Sequence, residues 1–287
     1  MLHAVAALLA AASCACGADP TFLRRSVAEI APRPDDLTAG ATGASYQPIF
    51  GSGDAQAGQL KGVARYGLLT VEPHGASAMV GYPAEEQIYF VLAGKATLRY
   101  GEERANIREN DFMYLPAKLK HGISNPLEAP VRLLVMGFRI PSGAEVPQPA
   151  HLMLANTDDV PLVPVEGHGP TCLFKLLMGT TASRRDKLAA ASQMVSLFIM
   201  DFAPGGTNIP HHHETAEEIY YILRGKGDMV AGGGADGNEG RYPATAGDAY
   251  FIRLNATVGF YSGSQPGEPH DQVLAVRSRF PFSKEAP

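Results

Sequence analysis

The chain repeats itself once. The segments Arg65–Pro73 (RYGLLTVEP) and Ala84–Gly94 (AEEQIYFVLAG) return as Leu197–Gly205 (LFIMDFAPG) and Ala216–Gly225 (AEEIYYILRG). Gly94 and Gly225 are 131 positions apart and Asp111 and Asp248 are 137 apart, so the glycine-rich stretch Gly232–Gly240 absorbs the difference as a loop. Solenoid repeats run about 20–50 residues, so a period near 130 means two copies of one domain. Each copy has room for a core of its own within 287 residues.

Inside each copy, short β-branched and aromatic runs are punctuated by Pro-Gly, Gly-Asp or Asn-Pro turns. With 31 glycines and 22 prolines, the chain supports many turns and few long helices. The expected class is all-β, with the repeats at residues 61–145 and 191–282. An arm at 19–60 carries room for one short strand. The proline-rich linker at 146–190 is expected to drape over the barrels with one or two edge strands. One helical window stands out, Ser183–Ser192 (SRRDKLAAAS), good for one or two turns.

Residues 1–18 hold no Lys, Arg, Asp or Glu, and the apolar run Ala4–Ala12 is too short to span a bilayer. Small residues follow it, the layout of a secretory signal, with an Ala-rich N-terminal helix as the alternative. The expected location is therefore secreted or periplasmic, with Cys14 or Cys16 as a site for a lipid anchor. Removal of that segment leaves Cys172 as the sole thiol, which excludes an internal disulfide. The net charge of −5, without a basic cluster, excludes electrostatic nucleic-acid binding. No other segment reaches membrane-spanning length.

The chemistry concentrates at Gly205–Glu218, which contains His211–His212–His213 and ends in a strand. Side chains alternate along a strand, so His211 and His213 share a face and His212 points away. Glu218 comes within reach if the chain turns back. Two imidazoles and a carboxylate form a facial ligand set that leaves metal positions open. A solvated surface tract is the bland alternative for such a run.

The spacing favours the ligand set. Gly205, His211, His213, Glu218 and Gly225, with the intervals between them, resemble the first motif of the cupin superfamily. Gly240–Ile252, containing Gly247–Asp248, resembles the second. The first copy is similar through Gly94, Asn110–Pro116, His121 and Asn125. The resemblance implies a bicupin, two antiparallel β-barrels of jelly-roll type. It implies metal ligands His211, His213 and Glu218 for one divalent transition metal (Mn, Fe, Zn, Ni or Cu). Counting back from Gly94, the matching positions of the first copy are Val80, Tyr82 and Gln87, or Glu86 with a one-residue shift. The first barrel is therefore expected to be metal-free, with His121 a hydrogen-bonded barrel residue. The second copy has Val258 where the family's last ligand stands, which leaves an open position or a place for His270.

Glu217 reads as solvated, with support of the metal ligands as the alternative, and Tyr220, Tyr250 and Phe251 as barrel wall, with one phenol facing the metal as the alternative. Arg277 and Arg279 face one side of the last strand and form an anion pocket if that side is the interior. The layout resembles ureidoglycine aminohydrolases and, more distantly, oxalate-type bicupins. Two functions follow. One is a secreted metalloenzyme acting on a small organic acid, amide or related metabolite, of decarboxylase, dioxygenase or hydrolase type. The other is a non-catalytic binder of a small molecule or sugar. Partners are a small-molecule ligand and, through exposed barrel edges, further copies of the chain.

Overall fold

The computed structural model describes residues 21–144, 146, 148–233 and 238–279; the expected leader, with Cys14 and Cys16, lies outside them. In chain order the strands begin with β1 (Phe22–Ser26), β2 (Thr42–Gly51), β3 (Val63–Ala76), β4 (Glu85–Ala93) and β5 (Lys95–Tyr100). Next come β6 (Glu103–Arg108), β7 (Asp111–Leu115), β8 (His121–Ser124), β9 (Val131–Arg139) and β10 (Met153–Asn156). The remaining strands are β11 (Cys172–Thr180), β12 (Leu188–Ala191), β13 (Met194–Phe202), β14 (Ala216–Arg224) and β15 (Lys226–Gly233). The last four are β16 (Asn238–Thr245), β17 (Asp248–Ile252), β18 (Thr257–Ser262) and β19 (Asp271–Arg279). Among the described residues there is no α-helix, and none long and apolar enough to cross a membrane.

The two halves match strand for strand except for β12, which has no counterpart in the first. In the first, the order β10-β7-β4-β9-β3 continues into β8-β5-β6, with β2 also beside β3. In the second, β1-β17-β14-β19-β13-β11-β12 faces the sheet β16-β15-β18. Each half is a jelly-roll barrel, as the repeats implied. The arm strand β1 precedes the first barrel yet pairs with β17 of the second, Phe22 against Ile252. Reciprocally, β10 precedes the second barrel and pairs with β7 of the first, Met153 against Tyr114.

Strands β7 and β17 are buried at every residue, so they read as unbroken apolar runs rather than alternations. One face of each lines a barrel interior. The other joins an inter-barrel core containing Phe50, Tyr66, Phe90, Phe138, Leu197 and Phe251. Two carboxylates fasten that junction. Glu86 accepts the backbone N–H groups of Ser192, Gln193 and Met194, just ahead of and into β13, and the Tyr114 hydroxyl. Glu217 accepts those of Lys61 and Gly62, just ahead of β3.

Several expectations change. Glu217 is buried at 2% exposure instead of solvated, because consecutive strand residues face opposite sides: Glu218 points into the barrel and Glu217 toward the other half. The helical window Ser183–Ser192 splits into a turn and a strand. Ser183 Oγ takes the backbone N–H of Asp186, and Leu188–Ala191 extends parallel to β11, so sheet-edge pairing overrides alanine's helix propensity. The stretch read as a linker carries two edge strands, β10 and β12, as expected, and adds β11, which lies between β13 and β12 inside the sheet. Of the glycine-rich stretch read as a loop, both flanks are ladder, Gly232 pairing with Glu239 across β15 and β16, and 234–237 lie outside the described residues.

Candidate metal centre

Beyond Phe202 the chain crosses the mouth of the second barrel before re-entering as β14. Asn208, fully buried, anchors this crossing: its amide donates to the Tyr220 hydroxyl (2.9 Å) and its side-chain oxygen accepts the Phe260 N–H (2.8 Å). Ile209 follows at φ 58°, a left-handed conformation that costs a β-branched residue about 1–3 kcal/mol and persists only where neighbours enforce it. His211 then forms a two-way bridge with Val258 (3.0 and 2.8 Å), and the His213 carbonyl accepts the Asn255 N–H.

This frame aims the rings. His211 Nδ1 donates to the Ile209 carbonyl (2.9 Å), which leaves the Nε2 lone pair facing inward. That nitrogen is 3.2 Å from His213 Nε2, and His213 Nε2 is 3.1 Å from Glu218 Oε2. The three ligand atoms lie within 4.8 Å of one another. Two ligands about 2.1 Å from a shared cation, at right angles, stand about 3.0 Å apart. Burial lowers the His211 pKa, against the pull of the Ile209 carbonyl, which favours the neutral imidazole a metal needs. Glu218 is 2% exposed and neither of its oxygens has a hydrogen-bond donor. A buried carboxylate without donors calls for a cation, so the residues present fit a divalent metal.

Arg277 stands beside this group. Its Nε donates to Ser196 Oγ (2.9 Å), lies 3.8 Å from Glu218 Oε1, and its guanidinium stacks on Phe198 at 5.3 Å. Together these residues line a cavity of about 30 Å³, enough for one or two waters, with Phe174, Leu176 and Met200 as apolar wall. Arg279, two residues on, is exposed and does not line it.

The other residues singled out from sequence fall elsewhere. His270 is not a fourth ligand: it lies just before β19, at the far end from Arg277, and its Nδ1 pairs with Asp201 at 2.5 Å. Val258 is fully buried opposite His211. In the first barrel the same bridge joins Val80 and His121, and Gln87 pairs with Gly137 as Glu218 pairs with Arg277. The unshifted count is therefore the right one, and Glu86 corresponds to Glu217. His121 is 1% exposed, bonds the Leu119 carbonyl, and is held down to about 4 by burial. Tyr220 lines the cavity, Tyr250 packs in the second barrel's own core, and Phe251 faces the core between the barrels. Burial pushes the Cys172 thiol up to about 12, which makes it inert.

Two residues escaped the sequence reading. His168 roofs the cavity, its Nδ1 donating to the Asn208 carbonyl (2.7 Å) and its ring edge-on to His211 at 5.2 Å. It sits 43 positions before His211, next to Gly167 at φ 83°, and no spacing rule connects the two. Arg185 also reaches the mouth from the turn before β12.

The cupin-domain family model matches residues 67–137 and 198–262, one stretch in each barrel. The chain is a bicupin of the cupin superfamily. Among solved structures, this bicupin is similar to a putative glyoxylate-induced protein of Pseudomonas aeruginosa (TM-score 0.71, 16% identity, 92% and 91% of the two chains). It is also similar to the protein Ylba of E. coli (TM-score 0.67, 16% identity, 91% of each chain). A third is Bacillus subtilis oxalate decarboxylase, described with Mn(II) centres (TM-score 0.64, 14% identity, 91% and 78% of the two chains). An uncharacterized protein of Methanocaldococcus jannaschii is 25% identical over 79 residues, which span 27% of this bicupin and 63% of that relative.

Proposed function

We propose that this bicupin is a metal-dependent enzyme whose second barrel acts on a small organic acid. One observation carries the reading: a buried carboxylate without donors, Glu218, faces two imidazole nitrogens and lies beside the guanidinium of Arg277. His211, His213 and Glu218 would hold one divalent transition metal, and Mn(II) centres in the oxalate decarboxylase neighbour support Mn as the first metal to test. When bound, the metal supplies a Lewis acid that polarises a carboxylate or carbonyl at the coordination positions Val258 leaves unfilled.

The protein's own groups divide the remaining work. Arg277, tethered by Ser196 and Phe198, presents guanidinium N–H groups to the substrate's carboxylate. Phe174, Leu176 and Met200 keep water out, which strengthens both the ion pair and the ligand field. His168, which lines the cavity, holds its tautomer through Asn208, so its other nitrogen is an acceptor. The small cavity selects ligands of a few heavy atoms. The uncharged apolar leader and the small residues after it support export as the setting for this activity.

The test is elemental analysis of the purified chain, followed by a screen of small mono- and dicarboxylates. Metal near one per chain, lost in His211→Ala/His213→Ala together with turnover, is the expected result. Binding of a carboxylate without turnover would favour a non-catalytic binding protein, and metal retained in the double variant would overturn the site.

A further inference from the structure

The atoms that mark the candidate metal centre are buried oxygens without a hydrogen-bond partner, those of Glu218. Five atoms of the same kind belong to residues around the equivalent place in the first barrel: the hydroxyls of Tyr46, Tyr82 and Tyr89, Gln87 Oε1 and His121 Nε2. Tyr46, Gln87, Tyr89 and His121 are all at or below 1% exposure. Buried polar atoms are almost always paired, so such a cluster marks missing partners.

These residues lie side by side in the first barrel. Gln87 and Tyr89 lie two apart on β4 and face the same side. The Tyr89 ring stands edge-on to His121 at 5.4 Å. Tyr46 lies across Gly67, where any Cβ would collide with its ring. Arg65 and Gln87 meet over Gly137, whose absent Cβ would be 2.6 Å from each of their side chains, and Arg65 stacks on Tyr82 at 4.0 Å. Two glycines thus clear room for polar groups at the level where the second barrel sets its ligand cluster.

The donor and acceptor count defines what fits. Arg65 is committed to Glu85 (3.0 Å) and Asp35 (3.3 Å), and the Gln87 amide donates to Glu85 (2.8 Å). Gln87 therefore offers its unpartnered oxygen as an acceptor and keeps one further N–H. His121 Nδ1 donates to the Leu119 carbonyl, so its Nε2 is a second acceptor. Each of the three hydroxyls adds one donor and one acceptor. Burial raises the pKa of all three phenols, which keeps them protonated. Neither a spare charge nor a second imidazole is present to hold an anion or a metal.

We propose that the first barrel is a second binding site, which takes a small uncharged polar molecule carrying N–H or O–H donors beside an acceptor, as a primary amide or a polyol does. Its acceptor meets the tyrosine hydroxyls and its donors meet Gln87 Oε1 and His121 Nε2. Half-buried Tyr82 is the most exposed of the three tyrosines. The proposal is independent of the metal and of the reaction assigned to the second barrel.

Ligand-observed saturation-transfer NMR on the full chain, washed with EDTA, tests it. The probes are acetamide and glycerol, with acetate and methylammonium as charged counterparts. Acetamide, glycerol or both should give saturation signals, and their separate arms tell an amide from a polyol preference. In Tyr46→Phe/Tyr89→Phe, which keeps both rings, binding should weaken about tenfold, the scale of one or two neutral hydrogen bonds. In His211→Ala/His213→Ala the signals should persist. Should the double phenylalanine variant fail to fold, Tyr89→Phe alone carries the same comparison. Silence from both uncharged probes, equal signals in the phenylalanine variant, or equal binding of acetate would overturn the proposal. So would a crystal soak that leaves only ordered waters between these side chains.

Discussion

The two barrels use the same frame and the same residue types but place them on opposite strands. Across the bridge at the barrel mouth, the first has valine then histidine (Val80, His121) and the second histidine then valine (His211, Val258). Across the next pair, the first has arginine opposite glycine (Arg65, Gly137) and the second serine opposite arginine (Ser196, Arg277). A guanidinium stands beside Gln87 in one and Glu218 in the other. What differs is how it is paired. Glu85 and Asp35 occupy Arg65, whereas Ala216 takes the place of Glu85 in the second barrel, and Arg277 keeps only Ser196 and the more distant Glu218. A closed ion-pair network turns one barrel into a neutral polar chamber. An open one leaves charge in the other for a metal and an anion.

The widest gap should appear in metal affinity. Glu218→Gln should weaken binding more than about 100-fold, beyond the scale of residues that only support a ligand, while Gln87→Glu should leave stoichiometry at one. Equilibrium dialysis with Mn(II) checks both, and a second bound ion in Gln87→Glu would break the comparison. Next come the two clasps. Glu86 accepts three backbone N–H groups and a hydroxyl, Glu217 two backbone N–H groups, so Glu86→Ala should cost about 4 kcal/mol and Glu217→Ala about 2–3 kcal/mol in urea unfolding.

Acid should separate the barrels as well. His121 is held down to about 4 in the folded chain against about 6.5 unfolded, so its contribution is intact above pH 6.5 and lost as pH falls through 4. The loss amounts to about 3 kcal/mol, and His121→Gln should flatten the stability profile by that much; Val258 adds no such slope. The smallest effect belongs to Val258→His, which should tighten metal about tenfold, about 1.4 kcal/mol, while reducing turnover by filling the open position. Looser metal binding there would show that the bridge cannot aim a ring from β18.

Much of this was legible from residue spacing. Gly94 and Gly225 set the register that matches Gln87 to Glu218, and Leu115 and Ile252, past the inserted loop, set the one that matches His121 to Val258, because a strand's two-residue period fixes each facing once one residue is placed. The doublets Glu85–Glu86 and Glu217–Glu218 were harder. One letter looks the same whether it faces the barrel or the junction, and only the pairing of β4 and β14 separates them. His168 and the backbone partners of Glu86 were hidden for another reason: they lie 43 and more than 100 positions away, where no local period reaches. Ala189–Ala191 misled because propensity counts for less than a free sheet edge beside β11.

The crossed arms bear on how the chain assembles. β10 follows the first barrel directly, so that barrel can complete its edge as soon as Met153–Asn156 has left the ribosome. The second cannot do the same. Its edge, β17, waits for β1, which was made first and has to remain unpaired until nearly the whole chain is present. Such remote closure slows folding and leaves an unsatisfied strand exposed meanwhile. During that interval β1 of one molecule meets the β17 edge of another on equal terms. Crowded synthesis would then yield strand-exchanged dimers in which both copies keep every native pairing.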